Sequence, residues 1–237
     1  MKPIDLELLF KNADHPIDAI RQLIPAYPNI LEAGGHYGED TLRLANLWPG
    51  AEIFTFEPNP IAFEKLQKNV ESYPHIHLFP FALNSFDGTA EFYVQSHYGN
   101  DGASSILPAS PDYAESTHIH DWWYIEQKVT VPCVTLDSWA SCNKIDHIDL
   151  MWLDLEGVEL QVLRSGPHLL KSVRAIYIEV NFQEFRIGMT QYPALALFLK
   201  EQGFQEVFLD SRECWCQCNA VYLSLCYSPD LRSKPRY

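Results

Sequence analysis

Several short runs carry side chains that can do chemistry, and each follows directly on an apolar stretch. They are Glu32-Ala33-Gly34-Gly35-His36-Tyr37-Gly38, Phe56-Glu57-Pro58-Asn59-Pro60, Asp154-Leu155-Glu156-Gly157-Val158-Glu159 and Glu179-Val180-Asn181. In the first, Gly34, Gly35 and Gly38 permit a tight turn in which backbone can approach a ligand without a Cβ in the way. In the second, Glu57 stands at the tip of the apolar run Glu52–Phe56. A carboxylate there can accept both hydrogen bonds of a ribose diol. Together the two runs point to an adenosine-containing cofactor. Glu32, beside the turn, is placed to meet a cationic part of that ligand, directly or through water, or else to cap the following helix. His36, inside the turn, faces either the cofactor or the substrate.

Asp154 ends an apolar run, which is where open α/β sheets place their ligands. It is the candidate to orient or deprotonate an acceptor hydroxyl. Glu156 either faces the substrate or caps the next helix, and Glu159 is read as structural. Glu179 and Asn181 are candidate substrate contacts. With Asp154 they also make an oxygen set of the kind that holds Mg²⁺, but nothing else in the sequence demands a metal, and none is favoured. His97, His118 and His120 lie in an irregular segment, and His118 and His120 are candidate bases. The nearby run Asp121-Trp122-Trp123-Tyr124 offers Trp122 and Trp123 for stacking on a ring, or for pinning the segment to the core. Cys214, Cys216 and Cys218 alternate, but no CxxC pair supports zinc, so they read as ordinary thiols.

The elements that must position these residues follow from the pattern. Helical spacing covers residues 3–12 and 16–24, with Pro16 able to start the second helix. Strands are expected at Asn29–Ala33, 52–56, His75–Phe79, Ala90–Gln95, Lys128–Val134, Ile148–Leu153 and Ala175–Val180. Two more are expected near Phe204–Leu209 and Cys218–Cys226. Helices fall between most of them, notably after Glu39, over Ile61–Val70, from Thr135, after Gly157 and over Pro193–Gln202. Strands alternating with helices imply a mostly parallel sheet covered on both faces. The last two strands are joined without a helix, so they form an antiparallel hairpin. The expected division is an N-terminal helical extension, 1–27, and a single domain, 28–237, with an insert over 96–127 that covers the pocket.

Composition narrows the partners. The chain has 237 residues, is 47% hydrophobic and carries a net charge of −14. It holds enough apolar mass for one large core. A phosphate backbone needs a basic footprint, and the basic residues do not cluster, so a nucleic-acid substrate is not expected. No apolar run is long enough to cross a membrane. The acidic start, Met1-Lys2-Pro3-Ile4-Asp5-Leu6-Glu7, is unlike a signal peptide, and a cytoplasmic location is expected. Oligomeric state is not legible.

The motifs, taken in order over roughly residues 28–226, resemble those of FkbM-type S-adenosylmethionine-dependent methyltransferases. The family's Asp-x-Gly-Ala-Asn-x-Gly turn is similar to Glu32–Gly38, its Phe-Glu-Pro to Phe56-Glu57-Pro58, and its Ser-Ser segment to Gly102-Ala103-Ser104-Ser105. The most specific match is Ile148-Asp149-Leu150-Met151-Trp152-Leu153-Asp154-Leu155-Glu156-Gly157-Val158-Glu159. The resemblance implies a class I methyltransferase fold, a Rossmann-like three-layer sandwich with a mostly parallel seven-stranded sheet and an antiparallel C-terminal hairpin. It implies S-adenosyl-L-methionine held by Gly34, Gly35, His36, Gly38, Glu57, Pro58, Phe81, Ala82, Ser104 and Asp154, with Phe81 and Ala82 at the adenine. It also implies O-methylation of a sugar, small-molecule or natural-product hydroxyl. His36 replaces the usual Asn, and Trp152 replaces the usual Lys, which would remove a charge near the site. The competing readings are an NAD-dependent oxidoreductase, disfavoured because the turn lacks a clean Gly-x-Gly-x-x-Gly, and a non-catalytic binding protein.

Overall fold

The computed structural model describes residues 5–95, 102–113, 126–210 and 216–226. Its main sheet has strands β1 (Asn29–Ala33), β2 (Glu52–Phe56), β3 (Ile76–Phe79), β7 (Leu150–Leu153), β8 (Ala175–Asn181), β9 (Phe204–Leu209) and β10 (Gln217–Ser224). Their order across the sheet is β3-β2-β1-β7-β8-β10-β9. β1, β2, β3, β7 and β8 run parallel. β10 is antiparallel to both its neighbours, β8 and β9. The expected hairpin is therefore present, and its second strand inserts between the first and the rest of the sheet. This is the class I methyltransferase arrangement inferred from the motifs.

Period-two alternation assigns each central strand one set of side chains to each face. Ile30, Ile53, Leu150, Trp152, Ala175, Tyr177 and Val221 pack on one face with helices α1 (Leu6–Lys11), α2 (Pro16–Leu23), α3 (Glu39–Leu47) and α4 (Pro60–Asn69). Leu31, Phe54, Met151, Leu153, Ile176, Ile178 and Ala220 pack on the other. That face is covered by α5 (Leu136–Asn143), α6 (Glu159–Arg164) and α7 (Tyr192–Glu201). Because both faces are buried, the strands read as continuous apolar runs rather than as alternating ones.

The N-terminal helices are not peripheral. Ile17, Ala19, Ile20 and Leu23 of α2 are almost wholly buried, and Phe10 of α1 stacks on Phe208 of β9 with ring centroids 5.8 Å apart. His15 caps α2 by accepting the Ile17 N–H, and Pro16 occupies the first turn, where its missing N–H costs nothing. Within the expected 1–27 extension, the described residues from 5 onward thus contribute to the same core as the sheet.

A second sheet departs from the expected single layer. Strands β4 (Ala82–Leu83), β5 (Gly88–Gln95) and β6 (Glu126–Val134) form it in the order β4-β6-β5, with their own small core of Ala82, Phe92, Val94, Val131 and Cys133. β5 and β6 pair antiparallel from Gly88 opposite Cys133 to Gln95 opposite Glu126. The stretch between them, 96–125, makes up most of the expected 96–127 insert and is described only at 102–113, while residues 126–127 already belong to β6. There, Ser105 bridges to Tyr93 and Ala109 to Arg186, which ties this second sheet to the loop after β8. Among the described residues, no helix is long and apolar enough to cross a membrane.

Candidate active site

The glycine turn closes on its own backbone. The N–H groups of Gly34 and Gly35 both donate to the Phe56 carbonyl at 3.0 Å, and the Gly38 N–H donates to the Gly35 carbonyl at 2.7 Å. Gly34 has φ +96°, and a Cβ built there would lie 2.0 Å from the Asp154 carbonyl oxygen. One at Gly35 would meet the Thr55 methyl at 2.4 Å. These two glycines are required because the ends of β1, β2 and β7 pack directly together. The tight turn expected of these glycines is present, with both amides bonded to the Phe56 carbonyl. Gly38, also left-handed, is the N-cap of α3.

Around this turn lies a cavity at the carboxyl ends of β1, β2 and β7. Gly34, Gly35, His36, Glu57, Pro58, Phe81, Ala82, Ser104 and Asp154 of the sequence-based set line it, whereas Glu32 and Gly38 do not. His36 adopts φ 44°, stacks on Tyr37 at 3.7 Å and lies 3.4 Å from the Glu39 carboxylate. Its backbone N–H donates to Glu57 Oε2 at 2.8 Å, and the Asn59 N–H donates to Glu57 Oε1 at 2.7 Å. The Glu57 carboxylate is therefore fixed by two backbone donors, and each of its oxygens can accept further bonds. Asn59 in turn caps α4 through the Ile61 N–H at 3.1 Å, with Pro60 in the first turn. An apolar wall of Phe56, Phe81, Leu83, Phe92, Ile106, Leu155 and Val158 completes the enclosure.

Acidic residues that follow β7 and one near the end of β8 converge beside the cavity. One carboxylate oxygen from each of Asp154, Glu156 and Glu179 lies within 4.8 Å of the others. Asp154 lines the cavity and is exposed. Burial pushes its pKa up to about 6, with the Asp40 charge adding to the rise and His36 opposing it. Burial raises Glu156 to about 8 and Glu159 to about 7, and it raises Glu179 well above the usual carboxylate range. Two full charges 4.8 Å apart repel by about 3.5 kcal/mol at an effective dielectric of about 20. The cluster therefore retains protons near neutrality unless a cation compensates it.

Local geometry separates the roles of the two glutamates on the loop. Glu156 has φ 54° and Gly157 has φ 108°. Glu159 Oε1 accepts the N–H groups of Leu155, at 3.0 Å, and Gly157, at 3.2 Å, so it holds the loop shape, as the sequence suggested. Ser105 donates from its hydroxyl to the Glu156 carbonyl at 3.0 Å and joins this loop to the second sheet. The Glu156 carboxylate is left to face Asp154 and Glu179.

Residues 32–206 match the family described as "Methyltransferase FkbM domain". The chain belongs to the FkbM methyltransferase family. Among its relatives in that family's range, the 2-O-methyltransferase NoeI of Sinorhizobium fredii is 30% identical over 174 residues, 72% of this chain and 69% of that one. The hexuronic acid methyltransferase AglP of Haloferax volcanii is 26% identical over 55% of this chain and 48% of its own length. The methyltransferase sdnD of Sordaria araneosa is 25% identical over 85% and 83%. Among solved structures, M. capricolum TrmK in complex with S-adenosyl-homocysteine superposes with a TM-score of 0.50 at 10% identity, covering 90% of this chain and 68% of that one. Methanococcus jannaschii fibrillarin gives 0.50 at 11%, covering 85% and 68%. At such identities the likeness shows the fold.

Within this FkbM fold some expected residues sit elsewhere. Glu32 does not line the cavity. Its parity with Ile30 turns it to the face under α3, where it is fully buried and accepts hydroxyl bonds from Thr41 at 2.6 Å and Thr55 at 2.8 Å. Burial pushes its pKa up to about 8. It neither reaches a ligand nor caps backbone N–H groups; it ties β1 to β2 and α3. Gly38 is likewise outside the lining set, because its φ of +95° serves the helix start. Trp152 stacks on Tyr177 at 3.8 Å, and its side chain also hydrogen-bonds Asp40, which lines the cavity, so the residue in place of the usual Lys adjoins the site through Asp40. Glu156, Glu179 and Asn181 lie next to the cavity rather than in its wall. His97, His118, His120, Asp121, Trp122, Trp123, Tyr124 and Cys214 lie outside the described residues.

In the sequence, Ser105 stands only as part of the Ser-Ser segment, without a role. Sequence reasoning missed Arg186, fully buried between Glu126 and the carbonyls of Leu107 and Ala103, with Nη1 bonding Leu107 at 2.7 Å and Glu126 at 3.0 Å. No motif marks a lone arginine; the only signal was an Arg in an otherwise acidic, aromatic loop.

Proposed function

We propose that the chain transfers a methyl group from S-adenosyl-L-methionine to a hydroxyl oxygen of a sugar or other small molecule. The observation that carries the reading is the pinned Glu57 carboxylate at the tip of β2, lining a cavity that Asp154 also lines. The donor set fits the cofactor. Glu57 presents two acceptor oxygens for a ribose diol, Phe81, Leu83, Phe92 and Ile106 offer apolar surface for a purine, and Asp40 and Asp154 supply negative charge where a sulfonium would lie.

The cofactor supplies an electrophilic methyl carbon on a sulfonium. The protein's share is placement and proton handling. The Glu57 and turn residues fix one reactant, and the walls exclude water and align the acceptor oxygen for in-line displacement. Asp154, with its pKa raised to about 6, is ionised at neutral pH yet basic enough to take the hydroxyl proton as the oxygen–carbon bond forms. The names of the relatives NoeI and AglP support a sugar hydroxyl as acceptor. The test is transfer of labelled methyl groups to a panel of oligosaccharides, uronic acids, hydroxylated small molecules and RNA. Label entering a sugar or small-molecule hydroxyl, lost on Asp154→Asn, is expected. Label entering RNA alone would overturn the acceptor assignment.

A further inference from the structure

We propose that Trp152 is a positioning residue of the methyl-donor site: its indole N–H holds the Asp40 carboxylate at the cavity wall, where the Asp40 charge favours the sulfonium of the donor over the neutral sulfur of the product. The inference rests on the methyl-transfer reading and deepens it. Trp152 itself stays outside the cavity lining and acts through Asp40.

Three observations carry it. First, Asp40 and Trp152 meet across two elements. Asp40 stands in the first turn of α3, whose start is set by the left-handed Gly38, and it lines the cavity. Trp152 is in β7, packed on the sheet face that α3 covers, and its side chain hydrogen-bonds the Asp40 carboxylate. An indole can only donate, so this bond favours the ionised carboxylate. Second, the donor is held in one place. Trp152 is 4% exposed, and its ring lies on that of Tyr177, with centroids 3.8 Å and planes 15° apart. The two residues are direct register partners on the parallel strands β7 and β8. Tyr177 in turn lies 6.1 Å from the ring of His15, the cap of α2. A donor packed in this way has no loose side chain to order when it forms its bond. Third, the other cation beside Asp40 is a weak anchor. Arg43 Nη1 stands 3.9 Å from Asp40 Oδ1, with both side chains more than a third exposed, and such pairs hold loosely. Burial raises the Asp40 pKa, and the Arg43 charge and the Trp152 bond oppose that rise.

The chemistry gives the contact a purpose. In methyl transfer the acceptor oxygen bonds the methyl carbon, the carbon–sulfur bond breaks, and the sulfur keeps the electron pair. A sulfonium thereby becomes a neutral thioether. A fixed carboxylate beside the sulfur binds the donor more tightly than the product. That contact weakens as the methyl group leaves, so it serves donor capture and product release rather than the transfer step itself. The Asp40 charge is also felt at Asp154, where it adds to the rise in pKa.

The experiment measures the affinities of the full chain for S-adenosyl-L-methionine and for S-adenosylhomocysteine by calorimetry. It compares the wild type, Trp152→Phe, Asp40→Asn and the double variant. Phenylalanine keeps a ring for the Tyr177 stack and removes the N–H. Trp152→Phe is expected to weaken S-adenosyl-L-methionine binding by about tenfold, the worth of one hydrogen bond to a charged group, and to leave S-adenosylhomocysteine binding within about twofold. Asp40→Asn is expected to narrow the donor-to-product preference at least as far. Because both residues act through one contact, the double variant should match Asp40→Asn alone. Equal weakening of both ligands in Trp152→Phe, or effects that add in the double variant, would overturn the inference. Where thermal unfolding shows that Trp152→Phe does not fold, site-specific benzothienylalanine at position 152 replaces only the N–H by sulfur, and an unchanged donor-to-product preference there overturns the inference in the same way. Failure of the underlying reading has a different signature: the wild type then binds neither ligand, and both proposals fall together. A wild type that binds both ligands, with the preference unmoved in the variants, removes the role of Trp152 alone.

Discussion

Glu32 is buried with no cation beside it, and its replacement should change how stability depends on pH. Its pKa is raised from 4.5 to about 8 in the folded chain, chiefly by burial, while the hydroxyls of Thr41 and Thr55 oppose the rise. Between those values the folded chain keeps a proton that the unfolded chain has lost. Stability from this group is therefore fully present below pH 4.5, falls as pH rises through the window, and levels off above about 8. The slope for one proton is about 1.4 kcal/mol per pH unit, so the whole window is worth at most about 5 kcal/mol. Glu32→Gln keeps the shape and an acceptor for the two hydroxyls but cannot ionise. The assay is urea unfolding of both proteins, free of ligand, at a series of pH values. The other buried acids titrate in both proteins and cancel in the difference. The wild-type minus variant stability should decline steadily between pH 5 and 8, leaving Glu32→Gln the more stable protein at the alkaline end. A difference that stays flat across that range would refute the burial argument.

Other substitutions probe the turn and the cavity. Gly34→Ala should destabilise the fold by about 1–3 kcal/mol from its backbone conformation alone, with the clash against the Asp154 carbonyl adding to it; thermal unfolding measures this. Glu57→Gln should weaken S-adenosylhomocysteine binding by roughly 1–3 kcal/mol and also lower the unfolding temperature, because the His36 and Asn59 N–H groups bond separate carboxylate oxygens and an amide offers only one acceptor. Arg186→Met should leave Glu126 buried without its partner and loosen the 102–113 segment. Its cost is about 3–5 kcal/mol, read in denaturant unfolding, with faster hydrogen exchange at Ser104 and Ser105.

Much of the fold was legible because the central strands are buried on both faces and punctuated by Gly and Pro. The order Ile30–Ala33, Ile53–Phe56, Leu150–Leu153, Ala175–Val180 follows directly from apolar runs. Glu57 was legible because a carboxylate between Phe56 and Pro58 at a strand tip has few structural uses. Glu32 was not, since its hydroxyl partners come from Thr55 on the next strand and Thr41 on the helix between, which no local pattern announces. Trp152 could be turned to the correct face only by counting parity along β7, and a strand apolar on both faces offers no polar marker to set that count. The second sheet was hidden because β4 is only two residues long and β5 meets β6 across a long irregular stretch. The convergence of Glu156 with Asp154 and Glu179 depends on a left-handed residue that is not glycine, which sequence gives no means to foresee.

The central claim is that the cavity bounded by Glu57 and Asp154 holds the methyl donor. Its most direct measurement is isothermal calorimetry of the purified chain with S-adenosylhomocysteine and, separately, with NAD. One site for S-adenosylhomocysteine, weakened in Glu57→Gln, with no heat from NAD, is the expected result. Tight NAD binding with no response to S-adenosylhomocysteine would contradict the account.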